Sequence, residues 1–192
     1  MHTVISTLIQ AMPAHDELEQ QHIAATLAWI ASGASLFRVR KPDIPLQHLV
    51  SYFVLVDLTH GKLLLVDHRI SGLWLLAGGH VEPDEHPQAT VCREATEELG
   101  ITASFLFAAP FFLTITQTVG TVARHTDVSL WYVLHGDSTE PLAPSTDEFY
   151  AAQWFTFADI PFSRSDPHMR RFTRKLRARL ANAGATIQSP YQ

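Results

Sequence analysis

The chain has 192 residues, a formal net charge of -5 and 46% hydrophobic residues. This composition is typical of a globular protein, and the negative charge argues against a protein that coats nucleic acid or an anionic membrane. The single cysteine, Cys92, excludes a disulfide within the chain and fits a reducing compartment. The N-terminus lacks the basic start of a signal peptide, and no run approaches the roughly 18 apolar residues of a membrane span. We therefore expect a cytoplasmic protein that forms no stable complex with nucleic acid and does not bind membranes.

The N-terminal segment carries a helical pattern. Two helices are predicted in residues 1–33, because apolar residues in the second half of this segment recur at a spacing near 3.6 residues. Asp16 lies at a candidate helix start, and Gly33 is a candidate stop. Residues 1–45 are therefore assigned to a helical extension that ends in a linker around Pro42. The helices either cover a substrate cleft or form a homodimer interface, and the sequence does not choose between these alternatives.

Strand patterns follow the linker. The first two predicted strands are joined by a turn at residues 59–61 and form a β-hairpin. A last helix is predicted over 166–184, with Asp166 as its cap, and its many Lys and Arg residues predict a basic, solvent-exposed face. This order of elements predicts an α/β fold in which helices pack against a mixed sheet. The predicted strands are 49–58, 62–69, 72–79, 101–118, 127–136 and 151–157.

A short acidic helix is predicted between the third and fourth strands. It runs from Pro87, which suits the first helical position, to Leu99, and Gly100 suits the left-handed residue that ends a helix. At about 100° per residue, three glutamates fall within one arc of roughly 100°. These are Glu94, Glu97 and Glu98. The opposite side, which is predicted to face the sheet, carries Val91, Cys92, Ala95 and Leu99.

The clustered glutamates repel one another. Like charges at this spacing destabilise a helix by a few tenths of a kcal/mol per pair, and near the C-terminus they also oppose the helix dipole. A divalent cation removes this conflict, and oxygen ligands favour Mg²⁺, or Mn²⁺, over zinc. Arg93 lies beside the cluster and is predicted to orient one of its carboxylates.

The stretch from Gly79 to Ile101 resembles the signature of the Nudix hydrolases. Seven of its positions require a fixed residue, so a chance match at a given start is on the order of 10⁻⁸. The resemblance implies an α/β/α sandwich with a mixed sheet over residues 46–184, followed by a C-terminal tail at 185–192. The positions that match the signature are Gly79, Glu85, Arg93, Glu94, Ala95, Glu97, Glu98, Gly100 and Ile101.

The resemblance also implies residue roles. Glu94, Glu97 and Glu98 are the expected metal ligands, together with the backbone carbonyl of Gly79. Arg93 and Glu85 are expected to orient this catalytic site. The implied activity is metal-dependent hydrolysis of the diphosphate linkage in a nucleotide or a nucleoside-diphosphate derivative.

The base that activates water has several candidates. Within the helix, Glu97 and Glu98 are both reasonable, because a carboxylate near the metal can accept a proton. Outside the signature, Asp127 and Glu148 are candidates for contact with substrate or for this catalytic role. The alternative interpretations are a polar residue at a strand edge and a solvated loop.

Two other functions are weighed against hydrolysis. A sensor that binds a nucleotide without cleaving it has no need for the clustered carboxylates. An isomerase of isoprenoid diphosphates on the same fold relies on a cysteine outside the signature helix, whereas Cys92 lies within it.

A zinc site is a separate hypothesis. It would draw on His80, His86, His125 and Asp127. No pair among them has the spacing of a zinc motif, so the sequence predicts none.

Overall fold

The computed structural model describes residues 1–40, 44–118 and 125–182. Pro42 of the predicted linker, the last two residues of the predicted final helix and the predicted tail at 185–192 lie outside these ranges. Within the described residues, the helices are α1 (His2–Gln10), α2 (Glu17–Ala31), α3 (Pro87–Leu99) and α4 (Met169–Asn182). The strands are β1 (Gln47–Asp57), β2 (Lys62–His68), β3 (Trp74–Leu75), β4 (Ala77–His80), β5 (Phe112–Gln117), β6 (Thr126–His135) and β7 (Phe149–Thr156).

Strand β1 lies at the centre of a mixed sheet. It pairs in parallel with β6 along its length and antiparallel with β4, where Val50 lies opposite His80. Its pairing with β2 is limited to the closed end of the predicted hairpin, where Val56 lies opposite Leu63. Strand β2 pairs with β7 along its whole length and with β3 beyond the closed end of the hairpin, and there β4 lies beside β1 instead of β2.

Helices cover both faces of this sheet. Along β1, Leu49, Phe53 and Leu55 belong to a core shared with α1, α2 and α3. The intervening side chains Val54 and Val56 belong to a second core that α4 covers. This alternation follows from the two-residue period of a strand and gives the predicted α/β/α sandwich with an N-terminal helical extension.

Helix α2 covers the free edge of the sheet. Strand β5 is an edge strand whose backbone N–H groups at Leu113 and Ile115 donate to Glu19 Oε1 and His22 Nδ1, at 3.3 Å each. Such side-chain acceptors satisfy edge groups that would otherwise template pairing with another chain. Asp16 caps the helix by accepting a hydrogen bond from the backbone N–H of Glu19, as the sequence predicted.

Two basic residues of α4 hold α2 in place. Arg171 Nε donates to Asp16 Oδ2 at 2.8 Å. Lys175 Nζ donates to Glu19 Oε1 at 2.8 Å and to the carbonyl oxygen of Pro13 at 2.7 Å. The Glu19 side chain is fully buried and that of Lys175 is 9% exposed. The prediction that α4 presents its basic side chains to solvent is therefore wrong for Arg171 and Lys175.

Three predicted boundaries also differ from the structure. The single strand predicted over 72–79 is divided into β3 and β4, because each pairs with a different neighbour. The segment 101–111 is irregular rather than strand, with an isolated bridge at Phe105 and bends over 106–109. Helix α4 begins at Met169, after a turn in which Asp166 accepts from the backbone N–H of His168 at 2.7 Å.

Across the residues described, every helix is too short or too polar to cross a membrane.

Candidate active site

Helix α3 has the predicted boundaries, but the burial of two of its side chains differs from the prediction. His86 precedes it and accepts a hydrogen bond from the backbone N–H of Gln88, and Gly100 ends it with a φ of 68°. Val91, Ala95 and Leu99 are buried against the sheet. Cys92 is exposed, so the prediction that it faces the sheet is wrong. Glu98, which was predicted on the acidic face, is instead buried, with 3% of its surface exposed.

Two consecutive glycines in strand β4 allow it to lie close to α3. Gly78 has a φ of 133° and donates its N–H to Glu98 Oε2 at 2.6 Å. A Cβ atom at Gly78 would overlap the carbonyl oxygen of Ser51 on β1. A Cβ atom at Gly79 would overlap Glu94 Oε1. The glycines therefore allow β4 to lie between β1 and the two glutamates.

Arg93 connects the helix to the loop that precedes it. Its Nε and Nη2 atoms donate to the two carboxylate oxygens of Glu85, each at 3.1 Å. Its Nη1 atom donates to Glu94 at 2.7 Å and lies 3.4 Å from Glu97 Oε2, and Nη2 also donates to the carbonyl oxygen of His80 at 3.2 Å. This planar fork of donors fixes the position of Glu94 relative to β4.

Glu85 holds Arg93 from the side away from the cavity. Its Oε2 atom also accepts from Thr90 Oγ1 at 2.7 Å and from the backbone N–H of Glu82 at 3.1 Å. Burial by itself would raise the pKa of Glu85, but the hydrogen bonds from Arg93 and Thr90 outweigh burial and lower it. Glu85 is therefore a stable anion that keeps the guanidinium in place.

The three clustered glutamates have different environments. The Glu97 side chain is 60% exposed, the Glu94 side chain is 12% exposed and Glu98 is buried. Burial, together with the charges of Glu94 and Glu148, raises the pKa of Glu98 to about 9. Burial also raises the pKa of Glu94, although Arg93 opposes this shift. A buried carboxylate with a raised pKa beside other carboxylates is a site where a cation is favourable.

A cavity of about 860 Å³ lies over these residues. The glutamates of α3, Gly79 and Arg93 line it, and so do Asp127 and Glu148, the two candidates from outside the signature. The charge of Glu148 is one of the causes that raise the pKa of Glu98. Glu148 itself is an exposed residue of a turn, as the solvated-loop interpretation expects, and its contact with substrate stays a prediction.

A second group of polar side chains lies partly in the same cavity. His80, His125 and Asp127 line the cavity, and the buried His48 lies behind them. One ligand atom from each of the four residues lies within 4.8 Å of all the others. Three of the four residues considered for zinc in the sequence therefore lie in one group, while His86 lies apart as the cap of α3. The prediction of no zinc site stays a prediction. Sequence reasoning missed His48, since the three strands that assemble this group are far apart in the chain.

The donor atoms of the α3 site fit a hard divalent cation. Carboxylates and a backbone carbonyl are the oxygen ligands that Mg²⁺ and Mn²⁺ prefer. Glu94 lies against Gly79, and Arg93 holds it there. Glu94, Glu97, Glu98 and the Gly79 carbonyl are the groups that would hold the ion.

The NUDIX domain profile matches residues 47–176, so the chain belongs to the Nudix family. This range contains the whole sheet, α3 and most of α4. Nudix hydrolases act on small nucleotide derivatives and generally use divalent metals.

Named relatives point to two activities. The chain is 28% identical over 167 residues to an isopentenyl-diphosphate Delta-isomerase of Roseobacter denitrificans. This match covers 83% of this chain and 93% of the relative. It is 48% identical over 48 residues to a CTP pyrophosphohydrolase of Escherichia coli, over 23% of this chain and 36% of that protein. A MutT Nudix hydrolase structure from Burkholderia pseudomallei has the same fold, with a TM-score of 0.53 and 24% identity over 68% of this chain and 98% of that chain.

Proposed function

We propose that this protein is a divalent-metal-dependent pyrophosphohydrolase that cleaves the diphosphate linkage of a nucleotide or nucleoside-diphosphate derivative. The observation that carries the proposal is the arrangement of Glu94, Glu97 and Glu98 around Gly79 in one cavity, with Arg93 holding the first of them. A protein that only binds nucleotides has no need to concentrate carboxylates in this way, because their repulsion weakens the helix.

The α3 site provides the chemistry of phosphoanhydride hydrolysis. A bound divalent cation supplies Lewis-acid polarisation of the phosphoryl oxygens. The pair of Arg93 and Glu85 keeps Glu94 in one orientation, and this limits the reorganisation needed when the anionic substrate enters. The N–H of Gly78 holds the Glu98 carboxylate next to β4.

Glu97 is the proposed base. Its side chain is the most exposed of the three and lies in the cavity, where a water molecule can reach it. Glu98 is buried, and with a pKa raised to about 9 it holds its own proton at neutral pH unless a cation displaces that proton. Transfer of the proton from the attacking water to Glu97 leaves a hydroxide that attacks phosphorus and releases a phosphate leaving group.

Apolar residues in the lining of the cavity support a substrate with an apolar or aromatic group. They include Ile70, Leu73 and Leu75. Ile70 is 61% exposed, so its side chain can contact a nucleobase. The substrate class is therefore proposed to be nucleotides rather than inorganic polyphosphates.

An isomerase of isoprenoid diphosphates is the second candidate. The isomerase relative supports it, since the match covers 93% of that protein. The position of the single cysteine argues against it, because Cys92 is exposed on α3 and does not line the cavity. A chemistry that depends on a cysteine in the site is not available to this chain.

A phosphate-release screen over a nucleotide panel, with Mg²⁺ or Mn²⁺, tests these functions together. Hydrolysis of at least one nucleotide is expected, along with its loss in excess EDTA and a decrease of at least 100-fold in Glu97→Gln and Glu98→Gln. Isopentenyl diphosphate is assayed in parallel for conversion to its isomer. Isomerisation without any nucleotide hydrolysis would establish the second candidate. Equal inactivity of the wild type and both variants on every compound would favour the binding module.

A further inference from the structure

We infer that His48, His80, His125 and Asp127 form a second metal site, specific for a cation of the zinc class and separate from the carboxylate site on α3. These residues are called the His–Asp cluster below. The inference goes beyond the proposed hydrolysis, since it predicts metal binding that does not depend on turnover.

The geometry of the His–Asp cluster matches tetrahedral coordination. A zinc ion with bonds of about 2.0–2.1 Å keeps its ligand atoms about 3.3 Å apart. His48 Nε2 and His125 Nε2 each lie 3.3 Å from the same atom, Asp127 Oδ1. One ligand atom from each of the four residues lies within 4.8 Å of the others, so the longest separation must shorten by about 1.5 Å to complete the shell.

The sheet holds three of these ligands on adjacent strands. His48 on β1 lies opposite Asp127 on the parallel strand β6, and His80 ends β4 on the other side of β1. His125 lies immediately before β6. Ligands mounted on paired strands are positioned more rigidly than ligands on loops, as metal sites require.

Hydrogen bonds outside the cluster orient two of the imidazoles. His48 Nδ1 lies 2.9 Å from the carbonyl oxygen of Pro45, which can only accept, so Nδ1 carries the proton and Nε2 turns its lone pair toward Asp127. His125 Nδ1 lies 3.1 Å from Thr118 Oγ1, and its Nε2 also points to Asp127. A histidine whose outer nitrogen is held by an oxygen is the usual arrangement in protein metal sites.

The alternative is a hydrogen-bonded group of histidines around one carboxylate. The ring centroids of His48 lie 4.7 Å from His80 and 5.0 Å from His125. Such a group does not require the Nε2 atoms of His48 and His125 to converge on one carboxylate oxygen, as they do at 3.3 Å from Asp127 Oδ1. A divalent cation that binds neutral imidazoles and the carboxylate together accounts for this convergence.

The donor atoms separate this cluster from the α3 site by metal preference. Three imidazole nitrogens and one carboxylate suit zinc, whereas the oxygen ligands on α3 suit Mg²⁺. His80, His125 and Asp127 line the same cavity as the α3 glutamates, and the carbonyl oxygen of His80 accepts a hydrogen bond from Arg93. Zinc in the His–Asp cluster would therefore face one end of a substrate whose diphosphate lies at α3.

Zinc content measured on untagged protein tests the inference. The protein is stripped with EDTA, dialysed against Zn²⁺ in excess Mg²⁺ and analysed for bound zinc by mass spectrometry. One equivalent is expected for the wild type, and the affinity is expected to fall by more than about tenfold in His125→Gln and Asp127→Asn. His135→Gln is the matched control, because His135 is an exposed histidine at the end of the same strand.

Two further measurements make the result unambiguous. Co²⁺ in place of zinc gives the intense visible absorption of tetrahedral coordination, and this absorption is expected in the wild type and in Glu98→Gln but not in His125→Gln. Circular dichroism checks that the variants are folded. Equal zinc binding by His125→Gln, Asp127→Asn and the wild type would overturn the inference, as would a wild type that binds no zinc. Both outcomes are independent of whether any nucleotide is hydrolysed.

Discussion

Gly79 is the residue at which the backbone and the proposed metal ligands approach most closely. Replacing it with alanine places a Cβ atom in the position of Glu94 Oε1, which Arg93 holds in place. We expect Gly79→Ala to lower metal-dependent hydrolysis by at least tenfold, with a small loss of stability, because the glutamate side chain must move while the backbone conformation is retained. Steady-state kinetics and thermal denaturation measure the two effects.

Gly33→Ala is the matched control for this prediction. Gly33 has a φ of 76°, with no heavy atom within 4 Å of an added Cβ. It should therefore lose about 1–2 kcal/mol of stability from backbone strain without losing activity. Full activity in Gly79→Ala would show that hydrolysis does not require Glu94 to lie where it packs against Gly79.

Arg93 is the second residue on which the site depends. Lysine at this position keeps the charge but cannot donate to Glu85 and Glu94 at once. Arg93→Lys is expected to lower kcat by at least tenfold and to leave the secondary structure intact. Arg164→Lys, at a side chain that is 58% exposed, provides the control for a change of arginine to lysine. A variant with wild-type kinetics would contradict the role given to the guanidinium fork.

At the scale of elements, the buried pair of Glu19 and Lys175 fastens the N-terminal helices to α4. Lys175→Ala leaves the Glu19 carboxylate buried beside the N–H of Leu113 without its cation, and the loss of stability is expected to be about 3–5 kcal/mol. Chemical denaturation measures this loss. Arg174→Ala, at an exposed position of the same helix, should change stability by less than about 0.5 kcal/mol.

The double variant Glu19→Gln with Lys175→Met separates burial of a lone charge from loss of the contact. It should recover much of the stability that Lys175→Ala loses, because no unpaired charge remains in the interface. Equal stability of Lys175→Ala and Arg174→Ala would show that α2 docks by apolar contacts alone.

The contact between α2 and α4 also predicts a dependence on pH. Burial and the neighbouring Arg171 lower the pKa of His168 to about 4, below its ordinary value of 6.5. The unfolded chain therefore binds more protons than the folded protein between these values, and the stability present above about pH 6.5 is lost as the pH falls toward 4.

His168→Gln should reduce this loss by on the order of 1 kcal/mol, after allowance for partial exposure. Urea denaturation at pH 7 and pH 4.5 measures the difference between the variant and the wild type. His135→Gln is the control, since it makes the same substitution at an exposed histidine at the end of β6. A variant with the same pH dependence as the wild type would exclude His168 as its source.

At the scale of the whole molecule, local sequence signals predicted most helices and strands. The division of strands and the burial of single side chains depend on contacts between distant parts of the chain. Pro87 and Gly100 marked the ends of α3 because both act through their own backbone conformation. The division of 72–79 into two strands was not predictable, since it depends on which strands lie beside each half. The burial of Lys175 depends in the same way on a helix more than 150 residues away in the chain.

The candidate site shows the same contrast. Its acidic helix was predictable, because the spacing within one helix fixes which side chains share a face. The His–Asp cluster was not, because its members reach one another only through the pairing of β4, β1 and β6. Cys92 was expected to be buried and is exposed. Glu98 was expected on the exposed acidic face and is buried, where its carboxylate accepts a hydrogen bond from the N–H of Gly78 on β4.

Diffraction from a crystal of the protein soaked in Mn²⁺ gives the most direct test of the proposed hydrolytic site. Anomalous scattering locates the ion, and we predict a peak at coordination distance from the carboxylates of Glu94 and Glu98 and from the carbonyl oxygen of Gly79. In crystals of Glu98→Gln that peak is expected to weaken or vanish. Mn²⁺ that supports nucleotide hydrolysis but binds only away from α3 would contradict the account.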